Sequence, residues 1–385
     1  MVQRFPNDPE RWLPAKPITR HHWHYMRTRY FAAADVWPEL KDVFVRRACS
    51  QAEALGLCRE DGPGSLTHPD LGRMLYADGK VVTPLYRAKP GDRRVDRVTG
   101  EVKPLRADPD ADLFVSGSGE SAYGNKFVLV ACRSRDVHGR IVLNFDHLAA
   151  RGGEARNALD CIAAVRPHLP GAQGVLYDGA FRGVHLQELL HERGLVPVVP
   201  VTAAAGGRRQ RKPRQERTTA VERKMLPSGK KLDLVARAGQ LGLIELDENG
   251  DGVFVPLVRR KIDRRPNVGG TWRWYGTFDV PAEHGGGTVL LRHDTTDEDR
   301  RRKFNRTEHV RPIPPADPDY QRLYPRRADS ESINRALDDS LWLGRAHSVG
   351  GRRQLVDLLG FAIAVNSVAL YRARHSKVPP GQLAA

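Results

Sequence analysis

What limits the fold most is the order of apolar segments along the first half of the chain. MLYADGKVVTPLY reads as two short strands around Asp78-Gly79. KFVLVAC (126–132) and RIVLNF (140–145) read as two more, joined by a His138-Gly139 turn. Glu154 to Leu169 carries Ala155, Leu159, Ile162, Val165 and Leu169 on one helical face. GVLYDGA (174–180) is a short buried strand ending at Asp178. A helix over 184–193 stops at Gly194, and LVPVVPV (195–201) is a further strand. Strands followed by helix–strand–helix–strand predict an α/β fold, a mixed sheet with helices packed on it.

The flanking regions differ in character. Residues 21–57 look helical, with Val36, Leu40, Val43, Val45, Ala48 and Ala52 near helical spacing, and Asp61–Gly64 closes that region with turn residues. From Arg87 to Asn125 the chain is polar and bears Gly and Pro, as a long excursion would. Residues 206–218 (GGRRQRKPRQERT) form a basic run that reads as a solvated linker. Beyond it KLDLVAR, LGLIEL, GVFVPLVRR, TWRWYGTFDV and GTVLLRH are alternating strands between Gly, Asp and Asn turns. This all-β block, about 220–293, interrupts the α/β pattern and looks inserted. Helical character returns after Pro318, ending in an apolar helix from Gln354.

Charge narrows the partners. The chain has 385 residues with 62 Lys and Arg against 46 Asp and Glu, a net charge of +16. That surplus favours a polyanion, nucleic acid being the usual one. Cys49, Cys58, Cys132 and Cys161 form no CxxC pair, which fits a reducing cytoplasm better than a disulfide framework. Met1 to Arg20 lacks an apolar signal core. The apolar stretch Leu355–Leu370 is broken by Asp357 and Asn366, so it predicts a buried helix and no membrane partner.

Three acids then call for comparison. Singly each is unremarkable: Asp78-Gly79 and Asp178-Gly179 are turn dipeptides, and Glu331 in a first helical turn would complement the helix dipole. Jointly they line up with a further pattern. Tyr324, Arg327 and Glu331 follow the spacing tyrosine, two residues, arginine, three residues, glutamate. This closely resembles the Y-x2-R-x3-E-x6-K signature of bacterial insertion-sequence DDE transposases, in the group with a β-rich insertion before the catalytic glutamate. LYADGKVV resembles that family's first-aspartate strand, YGNKFVLV its second strand and GVLYDGAFRG its second-aspartate strand. ESINRALDDSLWLGRAHSVG and FAIAVNSVAL resemble its glutamate and C-terminal helices. Asp178 lies 100 residues after Asp78, and Glu331 a further 153 residues on, room enough for the inserted block. One position departs: the signature's final lysine is Asp338 here, where the family's lysine is thought to contact a DNA phosphate.

The resemblance implies a ribonuclease H-like core interrupted by a β-rich insertion. It implies Asp78, Asp178 and Glu331 as catalytic metal ligands for two Mg²⁺ ions, for which Mn²⁺ can substitute. Hard cations suit such oxygen ligands, and bound metal relieves repulsion among crowded carboxylates. Tyr324, Arg327 and Lys126 are then expected at DNA phosphates, with Arg335 or Arg345 as substitutes for the missing lysine. Trp272 or Trp274 is expected to stack on an extruded base. The expected divisions are an N-terminal helical region (1–72) for DNA ends, a core in two parts (73–204 and 305–376) around the insertion (205–304), and a tail (377–385). The expected activity is metal-dependent cleavage at element ends and strand transfer into target DNA. Its partners are double-stranded DNA and a second copy in a synaptic complex, in the cytoplasm at the nucleoid. Two rivals stay open: a non-catalytic DNA-binding derivative, which Asp338 favours, and a ribonuclease H-like nuclease that cuts without strand transfer.

Overall fold

In the computed structural model one continuous strand, not two around a turn, organises the main sheet. Residues 4–5, 8–12, 19–115, 119–134, 136, 138–148, 153–201 and 217–375 are described; most of the basic run and the tail at 377–385 lie outside them. The chain opens with an antiparallel pair, β1 (Arg4–Phe5) and β2 (Asp8–Trp12). Then come α1 (Arg20–Met26), a π-helical turn at Arg27–Phe31 and α2 (Val36–Ala54). Trp37 and Phe44 of α2 pack their rings on Phe145, at 6.3 and 5.4 Å between centroids.

The organising strand is β3 (Met74–Val82), and Asp78-Gly79 lies within it. The correction has a physical cause. A partner strand pairs with β3 from Tyr76↔Ala131 to Val82↔Asn125, so its backbone is satisfied through the dipeptide that elsewhere signals a hairpin. Gly79 serves close approach instead: a Cβ there would lie 2.5 Å from the Glu154 carboxylate. The polar excursion that follows contains the hairpin β4 (Arg93–Val95) and β5 (Val102–Pro104), and the short strand β6 (Asp112–Val115).

The partner strand is β7 (Ser121–Arg133), followed by β8 (Arg140–His147), α3 (Glu154–Val165), β9 (Gly174–Leu176), α4 (Gly183–His191) and β10 (Val196–Val198). Strand order is β8-β7-β3-β9-β10, with β6 beside the start of β7. Strands β3, β9 and β10 run parallel, while β7 is antiparallel to β3 and β8. A mixed sheet of this kind with packed helices is consistent with a ribonuclease H-like fold.

Seven antiparallel strands follow. One sheet is β11 (Thr219–Met225), β12 (Lys231–Arg237), β13 (Gln240–Leu246) and β14 (Gly252–Pro256). The other is β15 (Val258–Pro266), β16 (Trp272–Asp279) and β17 (Thr288–Arg292). GVFVPLVRR, read above as one strand, divides at buried Leu257, whose N–H bonds back to Leu241. The sheets enclose a second hydrophobic core drawn only from residues 221–310, including Leu234, Leu241 and Leu291. Trp274 ties the block to the main core: fully buried, it donates its indole N–H to the Leu190 carbonyl at 2.6 Å.

The chain ends in helices: α5 (Asp297–Arg301), α6 (Arg306–His309), α7 (Pro318–Leu323), α8 (Ala328–Ala336) and α9 (Gly351–His375). A π-helical turn at Leu337–Trp342 continues α8. Buried arginines anchor the β-rich block to this region. Arg259 pairs with Asp317 at 2.6 Å and Asp319 at 2.7 Å, and Arg306 with Asp299 at 2.7 Å and Glu222 at 2.5 Å. Such buried charges persist because each has its counter-ion.

Helix α9 is long and apolar enough to cross a membrane by length and composition, yet over half of its most apolar window is buried against the protein. The two polar residues that break its apolar run both have partners. Asp357 binds Arg27 at 2.8 Å and accepts from the Ser348 hydroxyl at 2.8 Å. Asn366 caps the free side of β8, accepting from the Val142 N–H at 2.8 Å and donating to its C=O at 2.9 Å. Asn366→Leu strands both buried groups, and should lower unfolding free energy in urea by about 2–4 kcal/mol. An unchanged urea midpoint would remove this role.

Candidate active site

Pairing between β3 and β9 builds the site. The parallel register Met74↔Gly174, Leu75↔Val175, Tyr76↔Leu176 carries Asp78 and Asp178 to the same end of the strand pair, near enough for the charge of Asp178 to act on Asp78. Asp178 follows the last β9 residue by two positions, and its Oδ1 accepts from the Ala180 N–H at 2.8 Å. On the opposite face, Gly79 and the Tyr177 side chain meet Glu154 of α3. Its carboxylate lies over Gly79, accepts from the Tyr177 hydroxyl at 2.8 Å and pairs with Lys126.

Helix α8 covers the aspartate face. Asn334 donates to Asp78 Oδ2 at 2.9 Å. Arg327, one turn before Glu331, pairs with the Glu331 carboxylate at 2.5 Å and reaches toward Asp78 Oδ1 at 3.9 Å. One guanidinium thus stands between two of the three expected acids. Glu331 itself is 57% exposed, whereas Asp78 is only 15% exposed. Tyr324 stacks on Tyr320 with 4.8 Å between ring centroids, and its hydroxyl is pushed above its ordinary value chiefly by burial.

These carboxylates are electrostatically crowded. Burial pushes the Asp78 carboxyl up to about 6; Arg327 opposes the shift, while the negative charges of Asp178 and Glu154 add to it. Asp178 is raised for the same first reason, burial, with the Ala180 N–H opposing it and Glu154 adding. Hard oxygen donors whose ionisation is penalised first by burial and then by one another's charge suit a divalent cation. The triad is not closed to ligand distance, however. Among the described residues, the group whose ligand atoms all lie within 4.8 Å of one another is Glu245, Glu283 and His284 in the β-rich block, where His284 pairs with Glu245.

The remaining expected residues are spread out. Lys126 is engaged by Glu154, with its ammonium 5.4 Å from the Phe114 ring centre. Arg335 is solvent-exposed beside Asp339, and Arg345 lines a 660 Å³ cavity with Arg20, Trp23 and His347. The base-stacking expectation fails for Trp274, which alternation along β16 turns into the core. Trp272 has its ring covered by the Arg264 guanidinium, 4.3 Å from its centre. Residues that the sequence reading missed are Glu154, Asn334 and Lys80, the last pairing with Asp338 at 2.5 Å. Lys80 was within reach: read as one strand, LYADGKVV puts it on the face of Asp78.

A family model described as the transposase DDE domain matches residues 135–367, which include Asp178, Tyr324, Arg327 and Glu331 and leave Asp78 and Lys126 upstream. No curated protein matches the chain.

The Asp78 carboxyl is raised in the fold, so its protonated form favours the folded state. That contribution is complete below about 3.8 and is lost as pH rises through about 6. A bound divalent cation should offset the loss. MnCl₂ is therefore expected to raise the Tm by several degrees at pH 7, clearly less at pH 5, and not at all in Asp78→Asn. Equal shifts at both pH values, measured by thermal unfolding, would contradict this.

Proposed function

Because the chain belongs to the DDE transposase family, with the transposase DDE domain matching more than half its length, we propose that it cleaves DNA at the ends of an insertion element and joins the freed 3′ ends to target DNA. The observation that supports this reading is the parallel pairing of β3 with β9, with Asp78 on the first strand, Asp178 just after the second and the Glu331 helix bonded to Asp78 through Asn334. Members of the family act on DNA and generally use divalent metal ions.

Asp78, Asp178 and Glu331 would hold the metal, two Mg²⁺ ions in this reading. Bound there, the metal supplies an activated water or 3′-hydroxyl and charge stabilisation for the leaving oxygen. The chain's own groups do the rest. Asn334 fixes the Asp78 carboxylate by its 2.9 Å hydrogen bond, so one oxygen is oriented before anything binds. Arg327 holds Glu331 and balances the acids; with DNA present its guanidinium is placed to turn to a phosphate beside Tyr324. Lys126 keeps Glu154 neutralised, which limits the negative charge behind the site. Action at two element ends calls for a second copy, and a cytoplasmic, nucleoid-associated location follows from the substrate.

Labelled DNA flanking the protein's own gene, incubated with Mg²⁺ or EDTA, tests this. Discrete metal-dependent nicks, joined products, and loss of both in Asp178→Ala are expected. Nicks without joined products would favour a nuclease. Specific binding with no cleavage in either protein would favour a non-catalytic derivative.

A further inference from the structure

One face of α8 and its π-helical continuation lies along one face of β3. Arg327, Glu331, Asn334 and Asp338 are spaced by four, three and four residues, a single helical stripe. Asp78 and Lys80 are two residues apart on β3 and therefore point the same way, about 7 Å apart along the strand. The contacts run in order. Arg327 bridges Glu331 and Asp78, Asn334 donates to Asp78, and Lys80 Nζ meets Asp338 Oδ2 at 2.5 Å. The stripe thus ends on an ammonium group that the strand provides.

We infer that Lys80, held in place by Asp338, is the cation that contacts a DNA phosphate beside the acidic site, taking from the strand the position that a helix lysine at 338 would otherwise occupy. The inference rests on the function proposed above. Two cations cannot share this half-buried place without repelling, so a lysine on β3 and an aspartate at 338 are complementary, and Asp338 is no obstacle to DNA. The Lys80 side chain is 22% exposed. An ammonium carries three donors and Asp338 engages one, leaving others for a phosphate oxygen. A strand whose reacting phosphate lies at Asp78 and Asp178 must pass close to this amine. Lys80 is a DNA-binding residue here and Asp338 its positioning residue.

The test uses the full chain and fluorescent duplexes tiled across the DNA flanking its gene, with Ca²⁺ in place of Mg²⁺ for binding and Mg²⁺ for nicking. Lys80→Ala should weaken binding roughly tenfold. It should also lower the slope of log affinity against log salt by about 1. The exchanged pair, Lys80→Asp with Asp338→Lys, should recover most of both, because it returns one cation and one anion to the same place. Lys80→Arg should keep the slope. Thermal unfolding of each variant separates lost folding from lost contact, since a merely structural ion pair would change Tm and leave the salt slope alone. Wild-type nicking with an unchanged slope in Lys80→Ala overturns the role of Lys80 and spares the transposase reading. Absence of nicking and of tile-specific binding in the wild type would overturn that reading and this inference together.

Discussion

Parallel pairing of β3 with β9 is the constraint on which the rest depends. Parallel neighbours cannot be joined by a tight turn; the connection must cross over, and here it passes through β7, β8 and α3 before returning. Once the register is set by Met74↔Gly174, Asp78, midway along β3, comes near Asp178, which lies just past the edge where β9 ends. The loop after β9 then holds Asp178 through the Ala180 N–H. Helix α3 must then cover one face, which brings Glu154 against Gly79, and α8 the other, which brings Asn334 and Arg327 onto Asp78.

Such an edge is electrostatically awkward in isolation, and the protein answers with cations drawn from three directions. Arg327 comes from the helix, Lys126 from β7 and Lys80 from β3 itself. Arg327 pairs with Glu331 and approaches Asp78, while Lys126 and Lys80 pair with Glu154 and Asp338 around them. A net charge of +16 favours a polyanion at the surface of the chain. The net charge of the chain and the charge of these carboxylates are opposite in sign.

Much of this was legible before the structure. Apolar runs such as KFVLVAC and GVLYDGA specify buried strands by length and composition, and the helical spacing of Ala155, Leu159, Ile162 and Val165 specifies α3. Asp-Gly at 78–79 misled because the hairpin preference of that dipeptide is local, whereas pairing with β7 is not. Trp274 misled for a related reason: alternation along a strand shows that two faces exist without showing which is covered. Glu154 carries no spacing signal, and Asn334, though on the helical face of Arg327 and Glu331, takes its meaning from a contact to Asp78, 256 positions away. At 338 the departure from the signature was plain, but its partner became visible only once β3 was known to be a single strand.

The β-rich block separates β10 from the helices that finish the core, and this gives synthesis of the chain a waiting period. At ribosomal speeds, α9 follows β10 by roughly 8–30 s. Until it emerges, Val142 on the outer side of β8 has no Asn366, and the sheet presents an open edge of the sort that recruits other strands. A chain halted anywhere within the block therefore carries both aspartates but neither the glutamate nor the edge cover. The helix that reaches Asp78 and the helix that covers the β8 edge are therefore the last parts of the fold to be made.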